Sequence, residues 1–141
     1  MIKELEEKLL QGKYVDAEKI CEKMDIKDAG NMIMNIAYDT ENICVYSFVQ
    51  YMIWKTERIE WMELAIDIMI NPFCFLEGAY SVALFYLREV LRIKKNIENL
   101  ERILFFYHIP EKLVGIEEAK KIAEEILKIE PTNKLVLELN L

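Results

Sequence analysis

Residues 116–133 read Ile116-Glu117-Glu118-Ala119-Lys120-Lys121-Ile122-Ala123-Glu124-Glu125-Ile126-Leu127-Lys128-Ile129-Glu130-Pro131-Thr132-Asn133. Ile116, Ala119, Ile122, Ala123 and Ile126 recur at spacings of three and four, the period of an α-helix that buries one face. The other face is wet, and Glu117/Lys121 and Glu124/Lys128 stand in the favourable i,i+4 order. Such exposed pairs are solubility features worth roughly a few tenths of a kcal/mol each. Pro131 has no N–H to continue the ladder, so the helix closes at about residue 129.

The same period runs through nearly the whole chain. It predicts helices over 2–11, 14–24, 29–38, 41–55, 57–70, 74–94 and 97–108 before this one, and a short helix over 133–140 after it. Gly12, Pro72 and Pro110 mark stops, and Thr40 is placed to cap the fourth helix. With four Gly and three Pro in 141 residues, a turn-rich β-sandwich or barrel is excluded. The expected fold is all-α: eight or nine helices stacked as antiparallel pairs in one domain over 1–141, with no Pro-, Gly- or Ser-rich linker to divide it. The fourth and sixth helices are apolar almost all round, as central helices are.

The net charge of −7 opposes a general nucleic-acid or anionic-membrane role, since both need a basic surface. The acidity is concentrated. Residues 31–87 carry Asp39, Glu41, Glu57, Glu60, Glu63, Asp67 and Glu77 against only Lys55 and Arg58, while 88–141 balances. Electrostatic steering should therefore centre on the middle third. Cys21, Cys44 and Cys74 include no CxxC pair and sit among apolar neighbours, which predicts buried free thiols. The opening Met1-Ile2-Lys3-Glu4-Leu5-Glu6-Glu7-Lys8 has no apolar h-region, and no apolar run reaches the roughly 20 residues of a membrane span. The expectation is a reduced, cytoplasmic protein.

Helices of this size joined by short turns prompt a search for repeats. Gln11-Gly12-Lys13-Tyr14-Val15-Asp16-Ala17-Glu18-Lys19-Ile20-Cys21 resembles the turn and second helix of a tetratricopeptide repeat: Gly opens the turn, an aromatic packs below it, and Ala lets two helices approach. Ile116–Ala123 echoes that helix start, and Ile126–Asn133 resembles the family's helix end and Pro-x-Asn exit. Ala83 with Val90–Asn96 is a third echo, carrying Lys95 where the family has proline. Residues 28–72 fit no repeat, so the likeness covers about half the chain. It implies a TPR-like, α-solenoid-like stack whose concave face binds a peptide or protein surface, with Ala17, Ala83 and Ala119 at helix contacts.

No catalytic constellation is legible, and the protein reads as a non-enzyme without cofactor or metal. His108 is the only histidine and has no thiolates at zinc spacing; its expected place is a helix end, where it can cap carbonyls. Ser47 and Ser81 lack a nucleophile elbow, and the isolated glycines form no phosphate loop. Asp25–Asn31 resembles the start of a calcium loop, but its twelfth position is Ile36 rather than Glu, so it reads as a turn.

Glu57, Glu60, Glu63 and Asp67 step by three, three and four, which would line four carboxylates along one helical face about 15 Å long. The ordinary role of such a face is solvation; the sharper one is contact with a basic partner. A di-iron site would need Glu-x-x-His pairs that are missing. Only Arg58 falls within the stretch, so little of the charge is compensated locally. Trp54 and Trp61 flank the turn near Thr56, where an indole beside carboxylates can form a hot spot for Arg or Lys, with burial as the default.

The functional expectation is therefore a non-enzymatic module that engages a basic protein through Asp39, Glu41, Glu57, Glu60, Trp61, Glu63 and Asp67. Size and charge are similar to those of the immunity proteins that neutralise bacterial nuclease toxins, which mask a cationic active site with carboxylates. Two alternatives stand beside it: a regulatory or scaffold TPR-like adaptor holding a peptide, with homo-oligomerisation through surplus apolar surface, and a helical protein that binds a small ligand between helices.

Overall fold

The computed structural model describes residues 1–141. The protein is all-helical, without strands. Its nine helices are α1 (Ile2–Leu10), α2 (Tyr14–Glu22), α3 (Ile26–Thr40), α4 (Ile43–Thr56), α5 (Ile59–Ile70), α6 (Ala79–Ile93), α7 (Ile97–His108), α8 (Ile116–Ile129) and α9 (Lys134–Leu139). Short turns make consecutive helices into antiparallel pairs: α1 on α2, α4 on α5, α7 on α8. No helix is long and apolar enough to cross a membrane. The chain divides into two compact units, Met1–Ala83 and Leu84–Leu141. The division falls inside α6, where composition carries no linker signal.

In the first unit α1 packs on α2, α3 and α4, and α3 packs on both α4 and α5. Leu5, Leu9, Ile33, Ile36, Phe48, Ile66 and Ile68 are fully buried between them. Phe48 is the hub of an aromatic cluster, with ring centroids 5.5 Å from Tyr14, 6.1 Å from Tyr51 and 6.0 Å from Trp61. The Tyr14 hydroxyl donates to the Cys44 carbonyl at 2.9 Å, tying the α1–α2 turn region to α4. In the second unit Leu87, Leu100, Ile103, Phe106 and Ile126 form the core. Asn133 is 2% exposed and caps α9: its Oδ1 accepts from Val136 N–H at 3.0 Å while its amide donates to Glu101 at 3.0 Å. Ala17, Ala83 and Ala119 have no exposed surface, as a small residue at a helix contact requires.

Several boundaries differ from the sequence expectation for local reasons. Asp25 N-caps α3, accepting from Lys27 N–H at 3.3 Å, so the stretch read as a turn starts a helix. Thr40 ends α3 instead of starting α4: its hydroxyl donates to the Ile36 carbonyl at 2.7 Å and accepts from Asn42 N–H at 3.3 Å. Asn42 is the true cap of α4, accepting from Cys44 N–H at 2.9 Å. Thr56 repeats the stop, donating to Met52 carbonyl at 2.7 Å and accepting from Arg58 N–H at 3.2 Å. After each threonine a glutamate, Glu41 or Glu57, adopts a left-handed conformation with φ 48° or 55°. The segment 71–78 forms successive turns closed by Gly78 at φ 86°, so α6 starts at Ala79 rather than 74.

Neither α4 nor α6 is buried all round as a central helix would be: Trp54 is 82% exposed and Phe85 58%. The three cysteines are free, but only Cys21 is buried; Cys44 is half-buried and Cys74 is exposed in the 71–78 turns. His108 is exposed at the end of α7, where the Lys112 amine takes the Tyr107 carbonyl at 3.2 Å.

Candidate functional site

Helices α3 and α5 lie side by side and leave a groove of about 280 Å³ between them. From α3 it is lined by Ile26, Lys27, Gly30, Asn31 and Met34; from α5, by Glu60, Trp61, Glu63, Leu64 and Asp67. A Cβ at Gly30 would stand 3.9 Å from Leu64 Cδ1, in ordinary van der Waals contact with the floor. Three of the expected carboxylates, Glu60, Glu63 and Asp67, thus fall on one wall, as their spacing along a helix dictates. Arg58 Nη2 reaches Glu60 Oε2 at 3.3 Å, so this end of the row is compensated locally after all.

The other expected residues separate from this wall. Glu57 belongs to no helical face: it is the exposed C-cap of α4. Glu41 holds the same position after α3, and Asp39 is exposed in the last turn of that helix; none of the three lines the groove. Trp61 is 4% exposed and stands edge-on to Phe48, with an interplanar angle of 90°. It contributes to the groove as a wall and not as a projecting ring. The projecting indole is Trp54.

A second cavity of about 300 Å³ lies between α2, α3, α4 and the α4–α5 turn, and the sequence reading missed it. Its polar lining is Glu18, Glu22, Thr56 and Arg58; its apolar lining includes Met24, Met52, Ile26 and Trp61. Glu18, 6% exposed, accepts from the Tyr51 hydroxyl at 2.8 Å and from Lys55 Nζ at 2.7 Å. The Lys55 hydrogen bond holds its carboxyl below the usual range against the opposing effect of burial, and Glu18 in turn raises the Lys55 ammonium. The Cys21 thiol is pushed up to about 11, first by burial and then by the charges of Glu18 and Glu22. It is no nucleophile at neutral pH. The one hint of Glu18 in the sequence is its place beside the apolar stripe of Ala17, Ile20 and Cys21; its partners are 33 and 37 residues away.

A third cavity of about 270 Å³ between α7 and α9 is mainly apolar, with Leu104, Phe105, Leu135 and Leu139 below Glu101, His108 and Glu138. No cluster of three or more His, Cys, Asp or Glu residues is placed to hold a metal ion. The two cavities of the first unit set carboxylates over methionine, leucine and tryptophan walls. Comparisons with family models, with curated proteins and with solved structures find no match.

Proposed function

We propose that this chain is a non-catalytic protein-binding module that engages a basic protein partner through the acidic wall of the α3/α5 groove. The observation that carries the reading is the convergence of Glu60, Glu63 and Asp67 on one concave surface floored by Leu64 and Met34. Carboxylates over an apolar floor complement a lysine or arginine, whose alkyl stem needs apolar cover and whose head needs an anion. The −7 net charge adds long-range attraction for a cationic protein. The TPR-like resemblance belongs to the same proposal, supported by the buried Ala17, Ala83 and Ala119 and by Tyr14 packed beneath its turn. A toxin whose cationic active site the carboxylates mask is one partner of this kind, and the basic peptide of an adaptor complex is another.

The test starts from the partner retained on the immobilised chain and eluted by salt. Stopped-flow association is then measured at low and high ionic strength for wild type and for Glu60→Lys/Glu63→Lys. The reversal should slow association about tenfold or more at low salt and flatten its salt dependence. Wild-type association that ignores salt, or an unchanged double variant, overturns the reading.

A further inference from the structure

The second cavity and the α3/α5 groove share a wall, Ile26 with Trp61. We propose that the two act as paired sockets for two lysine or arginine side chains carried on one segment of a basic protein partner. This rests on the binding reading above and deepens it, by assigning Glu22 and the Ile26–Trp61 partition to recognition.

Four observations lead there. At about 300 and 280 Å³ the cavities sit at the bottom of the range of small-molecule pockets, roughly 300–1,000 Å³, and are open grooves suited to single side chains. Their walls are rich in flexible thioethers: Met24 and Met52 in one, Met34 in the other. Such walls adapt to an alkyl stem. Their rims carry five carboxylates, Glu18 and Glu22 from α2 and Glu60, Glu63 and Asp67 from α5, against the two cations Lys27 and Arg58. Lys55 already matches Glu18, so the charge offered by the first socket falls to the exposed Glu22. Finally, the partition is fixed. Trp61 is buried and packed edge-on against Phe48 at 6.0 Å, and this packing sets the distance between the sockets.

A rigid pair of sockets selects a spacing. Once one cation is seated, the second binds intramolecularly, and the gain is largest when the linker matches the span. A partner with scattered basic residues gains nothing from this.

The probes are acetyl-arginine amide and peptides of two arginines separated by a ladder of glycine spacers, titrated into the full ¹⁵N-labelled chain at low salt. The best two-arginine peptide should bind at least about tenfold tighter than the single arginine and shift amides at both Glu18–Met24 and Glu60–Asp67. Glu22→Gln and Glu63→Gln should each abolish that gain while leaving single-arginine binding at the other socket. Both alter carboxylates outside the core, and unchanged amide dispersion verifies their folds. No gain at any spacing, or shifts confined to α5, overturns the paired sockets and leaves the single-groove reading standing. Absence of shifts on α5, together with partner association indifferent to Glu60→Lys/Glu63→Lys, overturns both.

Discussion

Phe48→Ala is the sharpest perturbation of the first unit. Phe48 has no exposed surface and meets three rings, Tyr14 at 5.5 Å, Tyr51 at 6.1 Å and Trp61 at 6.0 Å. Truncating a fully buried Phe forfeits its transfer free energy and leaves a cavity, together about 3–5 kcal/mol. The ring contacts are part of that figure, at about 0.5–1.5 kcal/mol per pair. Phe48→Leu keeps much of the volume but loses the ring pairs, so its cost should be about 1–3 kcal/mol. Against a typical stability of about 5–15 kcal/mol, the alanine variant removes a large share.

The assay is urea unfolding followed by Trp61 emission in a Trp54→Phe background, since Trp54 is 82% exposed and would report solvent. Before unfolding, Phe48→Ala should already red-shift the emission, because Trp61 loses the ring it stands against. A cost below about 1 kcal/mol for Phe48→Ala, or a leucine variant less stable than the alanine one, would refute the hub and the fixed partition that depends on it.

Four further outcomes follow from the structure. The carboxyl of Glu18 is lowered by its Lys55 hydrogen bond, so its contribution is present above the ordinary value of 4.5 and lost as pH falls through the lowered one; the midpoint gap between wild type and Glu18→Gln should close on acidification. Ala119→Leu should cost about 1–3 kcal/mol by overpacking, read as a shift in melting midpoint. Thiol mapping with an alkylating reagent near neutral pH should label exposed Cys74 first and Cys21 last, since burial holds the Cys21 thiol at about 11. Glu57→Gly should raise the free energy of unfolding by up to about 1 kcal/mol, read as a higher urea midpoint, because glycine adopts the left-handed cap without the Cβ penalty.

The helices were legible because they bury one face and the period of three to four shows it. Carboxylates at 60, 63 and 67 were placed on one wall for the same reason. What periodicity could not see is contact between distant residues. The groove exists because α3 brings Gly30, Asn31 and Met34 alongside α5, about thirty residues away in sequence. Glu18 finds Lys55 across 37 residues, and Arg88 forks onto Glu118 at 2.6 and 3.0 Å across 30. Residues 74–76 read as the start of a helix because apolarity was counted without geometry: Phe73 is fully buried and anchors the turns, leaving Cys74, Phe75 and Leu76 exposed.

Glu41 and Glu57 show where counting charge departs from placing it. Each follows a threonine whose hydroxyl satisfies the carbonyl four residues back, and each turns left-handed so that the next helix can leave in a new direction. The sequence reading took both as part of a charged surface facing a partner, and it placed Glu57 at the start of the fifth helix, in a three-residue step to Glu60. The backbone breaks that step at 57–58, since Thr56 accepts Arg58 N–H at 3.2 Å and Glu57 closes α4 through its N–H to the Ile53 carbonyl at 2.9 Å. The case for a basic partner therefore rests on the three carboxylates of α5 that share a concave wall. Glu57→Gly separates the two ideas: a cap residue should leave association rates little changed while stability rises, whereas Glu63→Gln should slow association and leave stability nearly as it was.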